Sequence, residues 1–253
     1  MTVTASIFST FGDAIDFIVQ PRTGRGGGEV GGLSNNLELI WEHLKLCIVA
    51  MALATAIALP IGLWLGHTRR GAFLAVSVSN IGRAVPAIAL LFVFFAFLGA
   101  GFANVALALT LLAIPPILTN TYVGMRQVDP ELVDAARGQG LSGMQIVRQV
   151  EWPLALPTIF GGIRISVVTV LATAIIAPIA GLDSLGTPIF SSEVYGEDGR
   201  LAAALLVAFL TLSTDAGFGL IQRLLTPKGL KIAARGDRRP RTWPIPIRRV
   251  QHP

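Results

Sequence analysis

Long apolar stretches separated by short polar connections dominate the chain. A helix that crosses a bilayer needs about 20 mostly apolar residues. Five stretches reach that length, running from about Leu44 to Gly66, Phe73 to Leu98, Phe102 to Val123, Leu156 to Ile179 and Leu201 to Leu225. The second is interrupted by Ser79, Asn80, Gly82 and Arg83, with Pro86 just after. Ahead of the first, Ile7, Phe8, Phe11, Ile15 and Ile18 recur at helical spacing. This predicts an amphipathic helix over residues 4–19 lying at a membrane surface, with a tail of chance periodicity as the alternative. Asp13 and Asp16 and the lack of a basic lead set this segment apart from a secretory signal. Residues 22–36, rich in glycine and serine, are expected to form a flexible linker. The expected architecture is an all-α integral membrane protein of about five transmembrane helices. Residues 1–36 form its N-terminal segment and linker, residues 37–226 its membrane domain and residues 227–253 a tail.

Charge sets the orientation. Basic residues follow the first stretch (Arg69, Arg70), the third (Arg126, Arg137, Arg148) and the fifth (Lys228 through Arg249). The connection after the second, Gly99 to Gly101, is uncharged, and the one after the fourth holds Asp183, Glu193, Glu197 and Asp198 with a single base, Arg200. Basic connections mark the cytoplasmic face, so the expected N-terminus is outside and the C-terminus cytoplasmic. Trp41, Trp64, Tyr122 and Trp152 fall near stretch ends, as interfacial aromatics do.

Composition agrees. Of 253 residues, 53% are hydrophobic and 14% charged, against about 25% charged in a soluble domain; mean hydropathy is +0.66. The pI near 10.1 raises nucleic acid as a partner. The bases, however, cluster at the ends of apolar runs and in the tail, so no nucleic-acid partner is expected. Cys47 is the only cysteine and cannot form an intrachain disulfide, and His43, His67 and His252 lack metal-ligand spacing. No metal or cofactor is expected on this chain.

The connection between the third and fourth stretches is longer than the others and patterned. Asp129 is a good N-cap, Pro130 suits a first helical position, and Glu131 and Asp134 bring negative charge to the positive helix end. That helix should stop near Gly138 and Gly140. Ser142 and Gln145 make a capping-box pattern for a second helix, with Met144, Val147 and Val150 on one face, ending before Pro153. A helical hairpin over 127–153 is predicted, too small to stand without a partner surface. A plain surface connector is the competing reading.

Asp134-Ala135-Ala136, then Gly140 and Leu141, then Val150 and Trp152-Pro153 resemble the Glu-Ala-Ala signature of permease subunits in ATP-binding-cassette importers. The intervals match throughout, with Asp for Glu, Val for Ile and Trp for Leu. Pro86-Ala87-Ile88-Ala89-Leu90, Gly161-Gly162-Ile163-Arg164 and Leu185-Gly186 look like the osmoprotectant branch of that family, the ProW- and ProZ-like permeases for glycine betaine, choline, proline betaine or carnitine. The resemblance spans about residues 37 to 225. Arg83 and Asp183-Ser184 depart from that branch. The resemblance implies a cytoplasmic coupling hairpin, with Asp134, Ala135, Ala136, Gly140, Leu141, Val150 and Pro153 docking into an ATPase subunit. It implies ATP and Mg bound on that partner, a second permease subunit, an extracytoplasmic substrate-binding protein, and a place in the bacterial inner membrane.

Ionisable residues inside spans are costly and mark sites. Arg164 and Asp215 each lie about 15 Å from the cytoplasmic end of their stretch, at about 1.5 Å per residue, and are expected to pair as structural glue or as a gate. Asn80, Arg83 and Pro86 are candidates for a pathway lining. Thr110, Thr119, Asn120, Thr169 and Thr173 serve either as lining or as helix–helix hydrogen bonds. Gly62 and Gly66 make a small-residue pattern for close packing.

No P-loop, nucleophile elbow or zinc-protease motif is present, so ATP hydrolysis or other catalysis is not expected here. Competing readings are an ion-coupled secondary transporter or channel, which predicts internal repeats and no ATPase, a membrane enzyme or scaffold, and, within the resembled family, a permease for an amino acid such as methionine.

Overall fold

The computed structural model describes residues 2–225. The expected basic tail lies outside the described residues, as do the side chains of 2–8, 74–76, 79, 81, 83 and 225. The chain runs through α1 (Thr2–Val19), strands β1 (Pro21–Thr23) and β2 (Glu29–Gly31), then α2 (Gly32–His67), α3 (Ala72–Ala84), α4 (Ala87–Leu98) and α5 (Phe102–Arg126). It continues with α6 (Pro130–Gly138), α7 (Gly143–Ile146), a π turn (Val147–Glu151), α8 (Trp152–Thr173), a 3₁₀ stretch (Ala174–Ala180), α9 (Thr187–Phe190) and α10 (Ser192–Leu225).

Among the described residues four helical runs are long and apolar enough to cross a membrane: α2, α5, the run through α8, and α10. The expected second crossing is not one helix. It breaks at Val85–Pro86 into α3 and α4, and Pro86 takes an extended backbone (φ −64°, ψ 132°). Proline has no N–H to give and pushes the residue before it out of the helical region. Each half is about 18–20 Å long at about 1.5 Å per residue, too short to span alone.

α5 is the hub, with 56% of its apolar window buried. α2 presents Ala50, Ala54, Ala58, Gly62 and Gly66 to it, small residues one turn apart and all buried. Small side chains let helix backbones approach where lipid supplies no hydrophobic drive. A Cβ on Gly62 would meet the Cβ of Thr121 at 2.7 Å, and one on Gly66 would collide with Met125. On the other flank Ser166 of α8 donates to the carbonyl of Ala113 (2.9 Å), and Gly162 leaves room for Asn120. Buried His43 of α2 bonds the carbonyl of Leu171 at 3.0 Å, where α8 is about to give way to the 3₁₀ stretch. α10 differs: 6% of its apolar window is buried.

Residues 22–36 are not a loose linker. Pro21, Arg22 and Thr23 pair antiparallel with Gly31, Val30 and Glu29, and α2 begins at Gly32. The glycines sit in the turn between the strands, where Gly27 has φ +81°. Val30 packs with Ala14 and Phe17 of α1 and Ala202 of α10 in a small separate core. Buried Asn36 donates to the carbonyls of Ile18 (3.2 Å) and Gly32 (2.9 Å), fixing the end of α1 to the start of α2. Arg22 meets Asp198 at 3.1 Å. α2 is about 54 Å long at about 1.5 Å per residue, more than a hydrocarbon core of about 30 Å needs, and the surplus carries this cap.

Candidate functional site

The hairpin between α5 and α8 has a core of its own. Val128, Val133, Ala136 and Ile146 are buried in it, with Leu141, Val150 and Leu154 packed against them. The Asp129 side chain accepts the Glu131 N–H at 2.9 Å, and Pro130 opens α6. α6 ends by geometry only glycine adopts freely: Gly140 has φ +84°, its N–H bonds the Arg137 carbonyl (2.9 Å), and the Leu141 N–H bonds that of Ala136 (3.2 Å). This crossed pair of bonds is the Schellman stop. Gln145 reaches back to the Ser142 N–H at 2.8 Å.

The second limb departs from expectation. It does not end before Pro153. α7 is four residues long and passes through the π turn straight into α8. The Trp152 N–H bonds the carbonyl of Val147, five residues back. The added residue lets the helix absorb Pro153, which has no N–H to offer. The buried anchor of this limb is Ile146; Met144, expected on the inner face, is 69% exposed.

Of the signature-like residues, Ala136 is buried while Asp134, Ala135 and Gly140 are exposed, and Asp134 meets Arg137 at 3.2 Å on the outer surface. Exposed Leu132 and Met144 complete the outward face. A cleft of about 430 Å³ lies beside it, between Gln127, Asp129 and Leu132 on one side and Leu154 and Pro157 on the other.

Two of the polar residues expected within spans come together. Arg164 of α8 donates from Nε and Nη2 to the two carboxylate oxygens of Asp215 of α10, each at 2.6 Å. This two-pronged geometry is the strong form of the pair. Gly219, one turn on, leaves space for the guanidinium. Two further rungs link the same helices: the rings of Phe160 and Phe218 lie 6.4 Å apart, and Gln222 donates to the Pro157 carbonyl at 2.8 Å. The pair is about one-third exposed in the single chain. Charged groups at such depth face protein or water rather than lipid.

Asn80 and Pro86 do not join that pair, and the Arg83 side chain lies outside the described residues. Asn80 is exposed on α3, and Pro86 lies exposed at the break. Gly82 abuts Pro115 of α5, and an apolar cleft of about 210 Å³ lies between the break and Leu111, Ile114 and Pro115. Thr110 donates to the carbonyls of Ala106 (2.6 Å) and Ala50 (3.4 Å), Thr169 to Ile165 and Asn120 to Pro116. The bond from Thr110 to Ala50 joins α5 to α2, and the others run within a single helix. Among the described residues no cluster of histidine, cysteine and carboxylates is placed to hold a metal.

Two sites were missed in the sequence. His67 and Glu151 meet at 2.6 Å across 84 positions. At the opposite end of α2, a cleft of about 450 Å³ is lined by Glu29, Glu38, Glu42, Asp183 and Tyr195. Acidic residues at helical spacing (Glu38, Glu42) were the available signal for the second; sequence distance hid the first.

Comparison with known proteins places this arrangement. The Carnitine transport permease protein OpuCB of Listeria monocytogenes is 35% identical over 203 residues, covering 80% of this chain and 93% of the relative. The Glycine betaine/carnitine/choline transport system permease protein OpuCB of Bacillus subtilis is 33% identical over 202 residues, 78% of this chain and 93% of the relative. Among solved structures, the inward-facing MetNI methionine ABC transporter matches with a TM-score of 0.68 at 25% identity, covering 77% of this chain and 98% of that one. The family model of the binding-protein-dependent transport system inner membrane component matches residues 58–228. The chain is a membrane protein and belongs to the family of inner membrane components of binding-protein-dependent transport systems.

Proposed function

We propose that this chain is the permease subunit of an ATP-binding-cassette importer for a compatible solute of the glycine betaine, choline or carnitine type. The observation that carries the substrate class is the 35% identity spanning 93% of a carnitine permease, alongside similar identity to permeases for glycine betaine and choline. The four long apolar helices among the described residues are few to enclose a pathway, so two permease subunits, identical or different, surround it. α3 and α4 in tandem supply a fifth crossing, with the N-terminus outside and the C-terminus cytoplasmic. The hairpin over 127–153 takes the thrust of an ATPase subunit, which binds ATP and Mg. Its outward Asp134, Ala135 and Gly140 meet that subunit, while Ala136, Leu141, Val150 and Pro153 hold its shape. An extracytoplasmic binding protein delivers the solute. Asn80, Arg83 and Pro86 border the pathway, and the Arg164–Asp215 pair gates it.

The test is uptake of labelled glycine betaine into proteoliposomes holding the permease, ATPase and binding protein, wild type against Gly140→Asp. ATP-dependent uptake that the substitution abolishes, with membrane insertion intact, is expected. Uptake without ATP, or full uptake by the variant, overturns the mechanism. The structural match to a methionine system favours one second reading, an amino-acid permease. Transport of methionine in place of glycine betaine selects it.

A further inference from the structure

His67 is the last residue of α2, and Glu151 closes the π turn that feeds α8. His67 Nδ1 lies 2.6 Å from Glu151 Oε2. The Glu151 side chain is 3% exposed and that of His67 23%. Among the described residues Glu151 is the only buried carboxylate. A carboxylate withdrawn from water needs a charged or hydrogen-bonding partner, and the imidazole is that partner. The π turn aims the carboxylate inward, while Arg148 and Gln149 of the same turn remain exposed.

The hairpin is shaped around the histidine. A Cβ on Gly143 would come within 3.3 Å of His67 Nε2, so glycine leaves space for the ring. One side of His67 borders a cleft with Val133, Asp134 and Arg137 of α6. The other borders a cleft with Gly143, Met144 and Val147 of the second limb. His67 is thus wedged between both limbs.

Connectivity gives the pair its consequence. The hairpin is covalently continuous with α5 at one end and α8 at the other, so any displacement of it reaches them through peptide bonds. α2 has no such link and meets the hairpin through contact, with the His67–Glu151 hydrogen bond at its end. We propose that this pair is the joint by which movement of the hairpin is passed to α2, making His67 and Glu151 positioning residues for transport coupling. The proposal rests on the coupling-hairpin reading above.

The test is the number of solute molecules imported per ATP hydrolysed by the complete complex in proteoliposomes. His67→Ala and Glu151→Leu are expected to lower that ratio about fivefold or more while stimulated hydrolysis persists. His67→Asn keeps a donor near the Nδ1 position and Glu151→Gln keeps an acceptor; both are expected to retain most of the ratio. Should Glu151→Leu fail to assemble, the two His67 variants carry the comparison. An unchanged ratio in His67→Ala, or uptake and hydrolysis falling in equal proportion, overturns the proposal. Gly140→Asp separates the two levels. If it uncouples transport and the His67 variants do not, the joint alone fails; if Gly140→Asp is silent, the hairpin reading fails and takes the joint with it.

Discussion

Gly62 of α2 faces Thr121 of α5 so closely that a Cβ on the glycine would lie 2.7 Å from the threonine Cβ and 3.1 Å from the Leu118 carbonyl oxygen. Both atoms belong to stiff regions of α5, so neither can step aside cheaply. Gly62→Ala is therefore expected to force the helices apart, at an overpacking cost of about 1–3 kcal/mol. A lowered unfolding temperature of the detergent-purified protein checks it, and a melting curve identical to wild type would remove the close approach as a source of stability.

Gly140 poses the opposite case. Nothing lies within 4 Å of a Cβ built there, yet its φ is +84°. An uncharged substitution costs backbone strain, about 1–2 kcal/mol for an ordinary L-residue, less for asparagine, whereas aspartate adds a charge on the face that meets the ATPase. ATP-driven uptake is expected to fall in the order Gly, Asn, Ala, Val. An effect that tracked side-chain size, with no advantage for Asn over Ala, would point instead to a steric clash with a docked partner.

For Arg164 and Asp215, reversing either charge leaves two like charges at mid-span. Arg164→Asp and Asp215→Arg are each expected to cut uptake about tenfold or more. The double exchange restores a pair and should recover some of the loss. If the double variant is as inactive as the product of the two single effects, the residues act separately.

The cap offers a contrast between apolar and ionic contacts. Phe17 is 2% exposed and packs with Val30, Ala202 and Tyr195, so Phe17→Ala is expected to cost about 3–5 kcal/mol locally. Arg22 and Asp198 are each more than one-third exposed, and Arg22→Ala should cost less than about 1 kcal/mol. Protease cleavage within α1 should rise sharply in the first variant and barely in the second. Equal sensitivity would give the ion pair a larger role than its exposure allows.

Features that depend on local chemistry were legible before folding. Apolar length marked α2, α5, α8 and α10, and the side-chain caps of the hairpin follow from Asp129 and from the Ser142–Gln145 spacing. Counting residues from span ends put Arg164 and Asp215 at one depth, and they lie 2.6 Å apart. Features that depend on partners far along the chain were not. Glycine content suggested a loose 22–36 segment because composition does not reveal that Val30 finds Phe17 and Ala202. The π turn arises from joining a short helix to a proline-started span, which neither half announces. His67 shows no metal-ligand spacing in the sequence, and the carboxylate it meets stands 84 positions away. Pro86 reads as an interruption, but that it ends one helix and starts another goes with the packing of Gly82 on Pro115.

The contact of Phe17 with Tyr195 and Ala202 buckles α1 to the beginning of α10. α10 is thus held at its start by this cap and farther along by the Arg164–Asp215, Phe160–Phe218 and Gln222–Pro157 contacts with α8. The Arg164–Asp215 pair is the two-pronged member of that second set, so the loss of either charge loosens α10 from α8 while the cap still holds its start.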